Sequence, residues 1–389
     1  MLYQNMKMKT NLIFATLAFC LVACSGSKGD SSVSEIMING NKMYVTTLNK
    51  INSKPITLPL SKLVEECTLV QLETNDDIMV GPYPVVTITD NYIGVRESGR
   101  PYMLFDRSGK YLRNIGSIGQ GPGEYIRTLH DDIIDEKNGL IYLSPNFQDK
   151  ILVYKISGEF VKSIHLPMIV FYAKIFLYDN TLTVIHIPDT NRGLSIAFQY
   201  DIHTDKMIVE LASPSHLMLQ ADANSLTTRN LPTVFDFSYF LVSDTFYHFD
   251  VKNMRILPVF LMSDNTGDSR AKQYIQLFKD LILIRILVKD QHVIAADLKN
   301  KSSGFVHIVN DYYGNLPISV SVGKFRHGYF VHNIQPEQLM DDIAKRLAES
   351  SCTEKDRQAL NKLFLTLEEN TNNVIFIGKL KSEVKEKLW

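Results

Sequence analysis

An aromatic or small apolar residue followed by a polar one, at the head of a hairpin turn, recurs along most of this chain at nearly constant intervals. The segments Leu104–Ile115 and Val153–Ile164 align without a gap and share the turn residues Ser108-Gly109 and Ser157-Gly158. Shorter echoes are Tyr200-Asp201, Phe249-Asp250 and Ala296-Asp297. The pairs begin at positions 105, 154, 200, 249 and 296, a period in the range of about 40–50 residues that marks a β-propeller blade. Each blade is expected to be a four-stranded antiparallel meander. Polar or glycine breaks between apolar runs set the inner hairpin turns at Asp90-Asn91, Lys137-Asn138-Gly139, Asp179-Asn180, Ser243-Asp244-Thr245, Lys279-Asp280 and Arg326-His327-Gly328. The expectation is an all-β, six-bladed β-propeller over residues 41–389.

One interval is too long. The sixth copy of the phrase falls near Phe376, and the excess lies in residues 336–370. There Leu339, Ile343 and Leu347 share one helical face, and Leu360, Leu363, Phe364 and Leu367 share another. A helical hairpin inserted in the last blade is the expectation. Ser213–Pro232 reads as a long loop. The last blade is one strand short, and the strand-like segment Leu63–Leu72 is expected to pair beside Phe376 and lock the ring. Closure of that kind removes exposed sheet edges.

The N-terminus gives an address. Lys7 and Lys9 precede an apolar run, Leu12–Ala23, which is shorter than the roughly 20 residues a spanning helix needs. Basic, apolar and small-residue regions in that order make a secretory signal over residues 1–23. Leu21-Val22-Ala23-Cys24 resembles a bacterial lipobox, which implies diacylation of Cys24 and a mature chain that begins there. Residues 24–40 read as a flexible Gly/Ser-rich tether. Two acyl chains hold a protein on a membrane durably, so a lipid-anchored envelope protein is expected. Ser25, rather than aspartate, after the cysteine suggests the outer membrane by resemblance; which face it occupies stays open.

A net charge of −1 argues against a nucleic-acid partner, which would need a basic patch. With Cys20 removed and Cys24 lipidated, Cys67 and Cys352 remain, and they are expected to stay unpaired. There is no ligand spacing for zinc, and neither a metal nor another cofactor is implied.

The phrase Ile115–Tyr125, with Gly119, Gly121, Pro122, Gly123, Glu124 and Tyr125, resembles the junctions of NHL-type propeller repeats. The whole chain resembles the six-bladed β-propeller lipoproteins of Bacteroidetes. It shares the lipobox, the early strand Leu69–Thr74, the glycine phrase, the Ser243–Tyr247 segment and the C-terminal helical insert. The resemblance implies a cell-envelope location and no established reaction; glycan or peptide uptake is associated with such proteins.

The glycine phrase is not a phosphate loop, because it lacks both a following Lys-Ser/Thr and a helix start. Its expected role is geometric: glycines supply positive φ between blades, and Glu124 and Tyr125 brace the crossover. Asp106, Asp201, Asp250 and Asp297 recur at the outer turn, where an aspartate caps the backbone; this is preferred over a ring of metal ligands. Two clusters are candidate ligand sites. His130, Asp131 and Asp132 could bind a cation or a sugar hydroxyl, with a solvated loop as the plainer reading. Arg96, Glu97, Arg100 and Tyr102 could line a ligand face, with an ordinary charged hairpin as the plainer reading. No catalytic set is nameable. The leading expectation is a non-catalytic binding or scaffold propeller for a glycan, peptide or envelope-protein partner. The alternative is a metal- or carboxylate-dependent hydrolase or lyase acting at the central channel.

Overall fold

Asx turns separate short apolar strands along almost the whole chain, and the computed structural model shows how they pair. It describes residues 31–75, 78–126, 128–187, 195–212, 225–227, 235–239, 245–263, 272–286, 293–319, 324–383 and 388. The lipobox and Cys24 lie outside these residues. Strands β1 (Val33–Ile38) and β2 (Asn41–Thr47) form a hairpin across Asn39 and Gly40, whose φ values of 49° and 79° suit a type I′ turn. Val33–Ile38 is therefore strand, where the sequence suggested tether. β3 (Asn52–Pro59) and β4 (Thr68–Gln71) follow.

Five blades are contiguous meanders. The first is β5 (Val85–Ile88), β6 (Tyr92–Arg96), β7 (Tyr102–Asp106) and β8 (Tyr111–Ile115). A parallel pair, β9 (Ser117–Ile118) and β10 (Glu124–Tyr125), makes the handover. The second blade is β11 (Leu129–Asp135), β12 (Leu140–Pro145), β13 (Gln148–Lys155) and β14 (Phe160–Val170). The third is β15 (Lys174–Tyr178), β16 (Thr181–Ile185), β17 (Ser195–Asp201) and β18 (Lys206–Ala212). The fourth is β19 (Ser225–Thr227), β20 (Phe235–Tyr239), β21 (Thr245–Asp250) and β22 (Arg255–Ser263). The fifth is β23 (Lys272–Phe278), β24 (Leu281–Ile286), β25 (Val293–Asp297) and β26 (Ser302–Asn310), with short β27 (Leu316–Pro317) beyond it.

The sixth expected blade is not a contiguous unit. β28 (Phe325–Arg326) and β29 (Tyr329–Ile334) lead into helices α1 (Pro336–Ala348) and α2 (Glu354–Phe364), then β30 (Val374–Lys379). The fourth strand of that sheet is β4, paired antiparallel with β30 so that Leu69 faces Phe376 and Val70 faces Ile375. Six equal blades thus give way to five contiguous ones and a composite sheet, in which β4 takes the place of the fourth strand beside β30. Residues 63–72 do lie beside the strand at Phe376, as expected. The fourth blade also departs from the sequence reading. Thr245 of the expected inner turn opens the third strand of the meander, Ser243 and Asp244 lie outside the described residues, and the first strand, β19, lies inside the expected loop Ser213–Pro232, pairing Thr227 with Phe237.

Six apolar clusters lie between neighbouring sheets. Ile175 and Val184 of the third blade pack on Val153 and Ile164 of the second, and Ile375, Ile377 and Val331 of the composite sheet pack on Val86, Ile93 and Phe105 of the first. Another cluster joins the composite sheet to the fifth blade through Phe376, Phe330, Leu283 and Ile308, and it takes in Leu339, Ile343, Leu360 and Leu363 of the helices. Helix α2 begins with a capping box between Thr353 and Asp356. Phe364, assigned to the inner face by its spacing, is 44% exposed. The N-terminal arm covers two outer edges, β2 running parallel to β22 and β3 parallel to β26. Among the described residues no helix is long and apolar enough to cross a membrane. Cys67 and Cys352 are free thiols, and burial pushes that of Cys67 up to about 12.

The recurrent aspartates cap turns. Asp106 accepts from the Ser108 and Lys110 amides at 2.9 and 3.1 Å, Asp201 from His203 and Thr204 at 2.8 and 3.0 Å, Asp250 from Asn253 at 3.0 Å and Asp297 from Asn300 at 2.9 Å. Closure has its own polar clamp in Asn372, which is fully buried. Its Nδ2 donates to the Glu73 and Ile78 carbonyls, both at 2.9 Å, and its Oδ1 accepts from the Val80 and Asn373 amides at 3.0 and 2.9 Å. Asn372→Asp keeps the shape but turns two donors into acceptors facing carbonyls. It should lower the unfolding free energy by about 2–4 kcal/mol in a denaturant titration; a loss under about 0.5 kcal/mol would show that the clamp is dispensable.

Candidate functional site

Charged residues rarely lie within the inner strands of a propeller unless they answer one another across it, and here they do. Asp131 and Asp132 are adjacent in β11, so they point to opposite faces of the strand. Arg96 ends β6, Tyr102 begins β7, Lys174 begins β15 and Arg326 ends β28. Arg96 donates from Nε to Asp132 Oδ1 at 2.6 Å and from Nη1 to the Leu129 and His130 carbonyls at 3.1 and 2.5 Å. Arg326 donates from Nη2 to Asp131 Oδ1 at 2.6 Å and lies 3.3 Å from Asp132 Oδ1. Tyr102 donates its hydroxyl to Asp132 Oδ2 at 2.9 Å, and Asp131 Oδ2 accepts from the Ile175 amide at 3.0 Å. The network therefore ties the first, second and third blades to the composite sheet.

Glycine makes room for it. A Cβ on Gly94 of β6 would lie 1.8 Å from the Tyr102 hydroxyl, so that phenol can cross to Asp132 only because position 94 has no side chain. Tyr125 holds the other end, accepting from the Tyr102 amide at 2.7 Å and donating to the Ile115 carbonyl at 2.9 Å. Glu124 accepts from the Gly121 amide at 2.7 Å and from Ser117 at 3.2 Å. Positive φ occurs at Gly116 and Gly123 but not at Gly119 or Gly121, which instead allow close approach of the Glu124 carboxylate. The loop after Pro122 ends at Gly123, whose carbonyl accepts from the Tyr154 hydroxyl.

Beside the network lies a cavity of about 390 Å³. Arg96, Asp131, Lys174 and Arg326 form its charged wall, while Leu129, Ile175, Phe235 and Phe325 supply apolar surface; Tyr83, 91% exposed, is at the mouth. These residues come from four blades and the composite sheet, a convergence that only the middle of the ring allows. Burial pulls the Lys174 amine down to about 8, against the pull of Asp131. Burial, with Lys174 and Arg96 nearby, also holds His130 well below the usual histidine range, so its ring is neutral at pH 7.

The two clusters kept apart in the sequence analysis thus meet in one network, and the plainer readings hold only for Glu97 and Arg100. His130–Asp132 is not a solvated loop: Asp131 is 4% and Asp132 0% exposed. Arg96 and Tyr102 are likewise buried strand residues. Glu97 and Arg100 do lie in the hairpin loop, and they secure the mouth. Glu97 accepts from the Gly81 amide at 3.2 Å, with Arg100 Nε 3.6 Å away, and Arg100 donates to the Met79 carbonyl. Lys174, Arg326 and Gly94 were missed. A comparison of the inner strands for charge inside apolar runs would have singled out Lys174 in Ala173-Lys174-Ile175. Among the described residues no three His, Cys, Asp or Glu side chains are grouped to hold a metal ion.

Removing one member of a buried charge network leaves the others unpaired, at a cost of about 3–5 kcal/mol. Asp132→Asn should destabilise the protein by that amount in denaturant titrations, and adding Arg96→Met should recover part of the loss. A single-variant loss below about 1 kcal/mol would contradict this.

The profile of a domain of unknown function, DUF4934, matches residues 43–379. No curated protein sequence matches the chain. In structure the chain is similar to a protein described as exported, from Bacteroides fragilis, with a TM-score of 0.59 and 17% identity, covering 87% of this chain and 100% of that one. It also overlaps a DUF4221-family member from Bacteroides vulgatus at a TM-score of 0.44 and 9% identity, over 91% of this chain and 100% of that one. At these identities the likeness speaks for the fold alone.

Proposed function

This chain belongs to the DUF4934 family, and we propose that it is an exported, lipid-anchored binding propeller that holds a ligand in its central cavity without converting it. In this reading the composite sheet serves as the sixth module of the ring, and Cys24 carries the lipid at the outer membrane. Support for export comes from the basic, apolar and lipobox segments before Cys24 and from the exported Bacteroides fragilis protein of like fold. The binding face is suited to a glycan, peptide or envelope-protein partner, since its loops stand on rigid sheets.

One observation carries the non-catalytic half of the proposal. Asp131, which lines the cavity, and Asp132 beneath it come from a single strand and are both engaged by arginines, Asp132 by Arg96 at 2.6 Å and Asp131 by Arg326 at 2.6 Å. A general base or a metal ligand needs a lone pair aimed at the substrate or ion, and these carboxylates aim theirs at guanidinium groups. A hydrolase or lyase would need a base other than these two aspartates.

Glycan and peptide arrays probed with the full chain, with and without a divalent-cation chelator, test this. Retention should survive the chelator, leave the ligand intact and be abolished by Ser98→Trp, which puts an indole on a residue that lines the cavity. Chelator-sensitive release of a cleaved product would support the enzyme reading and defeat this one. The anchor is tested separately: Cys24→Ala should move the protein from washed membranes into the soluble fraction, and a variant that stays on the membrane would refute lipidation.

A further inference from the structure

We propose that the central cavity is a receptor for a small organic carboxylate, whose anionic group is held between Lys174 and Arg326. This rests on the binding reading above and names the ligand's chemistry. The first argument is charge. Among the described residues the buried cluster holds three cations, Arg96, Lys174 and Arg326, against two carboxylates, Asp131 and Asp132. Glu97 at the mouth is matched by Arg100 at 3.6 Å. One positive charge is left over in a site shielded from water, where unpaired charge is costly. A ligand carboxylate would restore balance, whereas a phosphate dianion would overshoot it.

The second argument is which donors have partners. Arg96 spends Nε and Nη1 on Asp132 and two carbonyls, and its Nη2 lies 3.7 Å from Asp131. Among the described residues Arg326 uses only Nη2 on protein acceptors, and its Nε has no partner. Lys174 Nζ has only the His130 carbonyl at 3.5 Å and Asp131 at 4.0 Å, long for an ammonium group with three donors. His130 Nε2 also lacks a partner among the described residues. The poorly satisfied polar groups belong to three strands, β11, β15 and β28, and all three residues line the cavity.

The third argument is shape. A volume of about 390 Å³ lies at the lower end of the roughly 300–1,000 Å³ found for small-molecule sites. Phe235, Phe325, Leu129 and Ile175 line the same cavity as the cations. An acid with a compact body, such as a sugar acid or a hydroxy acid, matches a lining that offers both positive charge and apolar surface.

Protonation supplies a signature. Lys174 is faced by Asp131, Asp132 and His130 from β11, Arg96 from β6 and Arg326 from β28, and burial brings its amine down to about 8. Above that pH the free protein loses the lysine charge, so carboxylate affinity should fall by up to about tenfold per pH unit. A guanidinium at this position stays charged.

Calorimetric titration of the full chain with sodium acetate, lactate and glucuronate, at ionic strength fixed with chloride, tests the assignment. Glucose and methyl glucuronate are the neutral partners, and inorganic phosphate and sulfate are separate arms. At least one carboxylate should bind saturably at pH 7 while its neutral partner does not. Lys174→Met should weaken it about tenfold to a hundredfold, as expected for loss of a charge-assisted bond. Lys174→Arg should keep binding at pH 9.5, where the unaltered chain loses it. No saturable carboxylate binding, equal binding by Lys174→Met, or binding confined to phosphate or sulfate would overturn the proposal. A neutral ligand that binds, is blocked by Ser98→Trp and ignores Lys174→Met would sink this inference while leaving the binding reading intact. Carboxylate binding untouched by Ser98→Trp would remove both from the cavity.

Discussion

The ladder between β4 and β30 joins segments about 300 residues apart, Thr68 to Ile377 at one end and Gln71 to Val374 at the other. Bringing such distant segments together costs chain entropy that grows only slowly with length, and once they meet, the blades between them are held as a ring. The Glu65 amide bonds to the Lys379 carbonyl at 2.8 Å and the Lys381 amide to the Leu63 carbonyl at 2.9 Å, which extends the seam beyond the strands themselves. Asn372 fastens the chain that leaves β4 at Glu73, Ile78 and Val80.

The seam matters to the site because the cavity has no single owner. Arg96, Asp131, Lys174 and Arg326 stand on four different sheets, and their distances hold only while those sheets keep their places around the ring. The Arg326 strand belongs to the composite sheet, so the arginine that answers Asp131 depends directly on closure. Buried ion pairs add little net stability compared with apolar packing. What this one contributes is position: two adjacent aspartates in β11 orient cations from three neighbours and leave a lysine and an arginine only partly satisfied.

The fold was legible to the extent that it repeats. Turn-capping aspartates at positions 106, 201, 250 and 297 and a strict Ser-Gly turn in two blades made the period visible, and apolar spacing in 336–370 exposed the helices. The fourth blade was misread because its first strand is three residues long and lies in a polar stretch with no periodicity, Ser225–Thr227. Site residues were half legible. Arg96, Tyr102 and His130–Asp132 are unusual enough in type to be noticed, yet each cluster looked like surface because burial depends on which distant strand lies opposite. Lys174 showed only as a charge inside an apolar run and Arg326 gave no local signal: one begins a strand and the other ends one at a turn, and only the ring brings them to Asp131.

Hydrogen exchange measured segment by segment on the full chain addresses ring closure most directly. The account predicts that amides of Thr68–Gln71 and Val374–Lys379 exchange together, as slowly as those of β11 in the second blade, through opening of the whole ring. Fast exchange in β4 while β30 and β11 stay protected would mean that the seam is not what holds the sheets around the cavity.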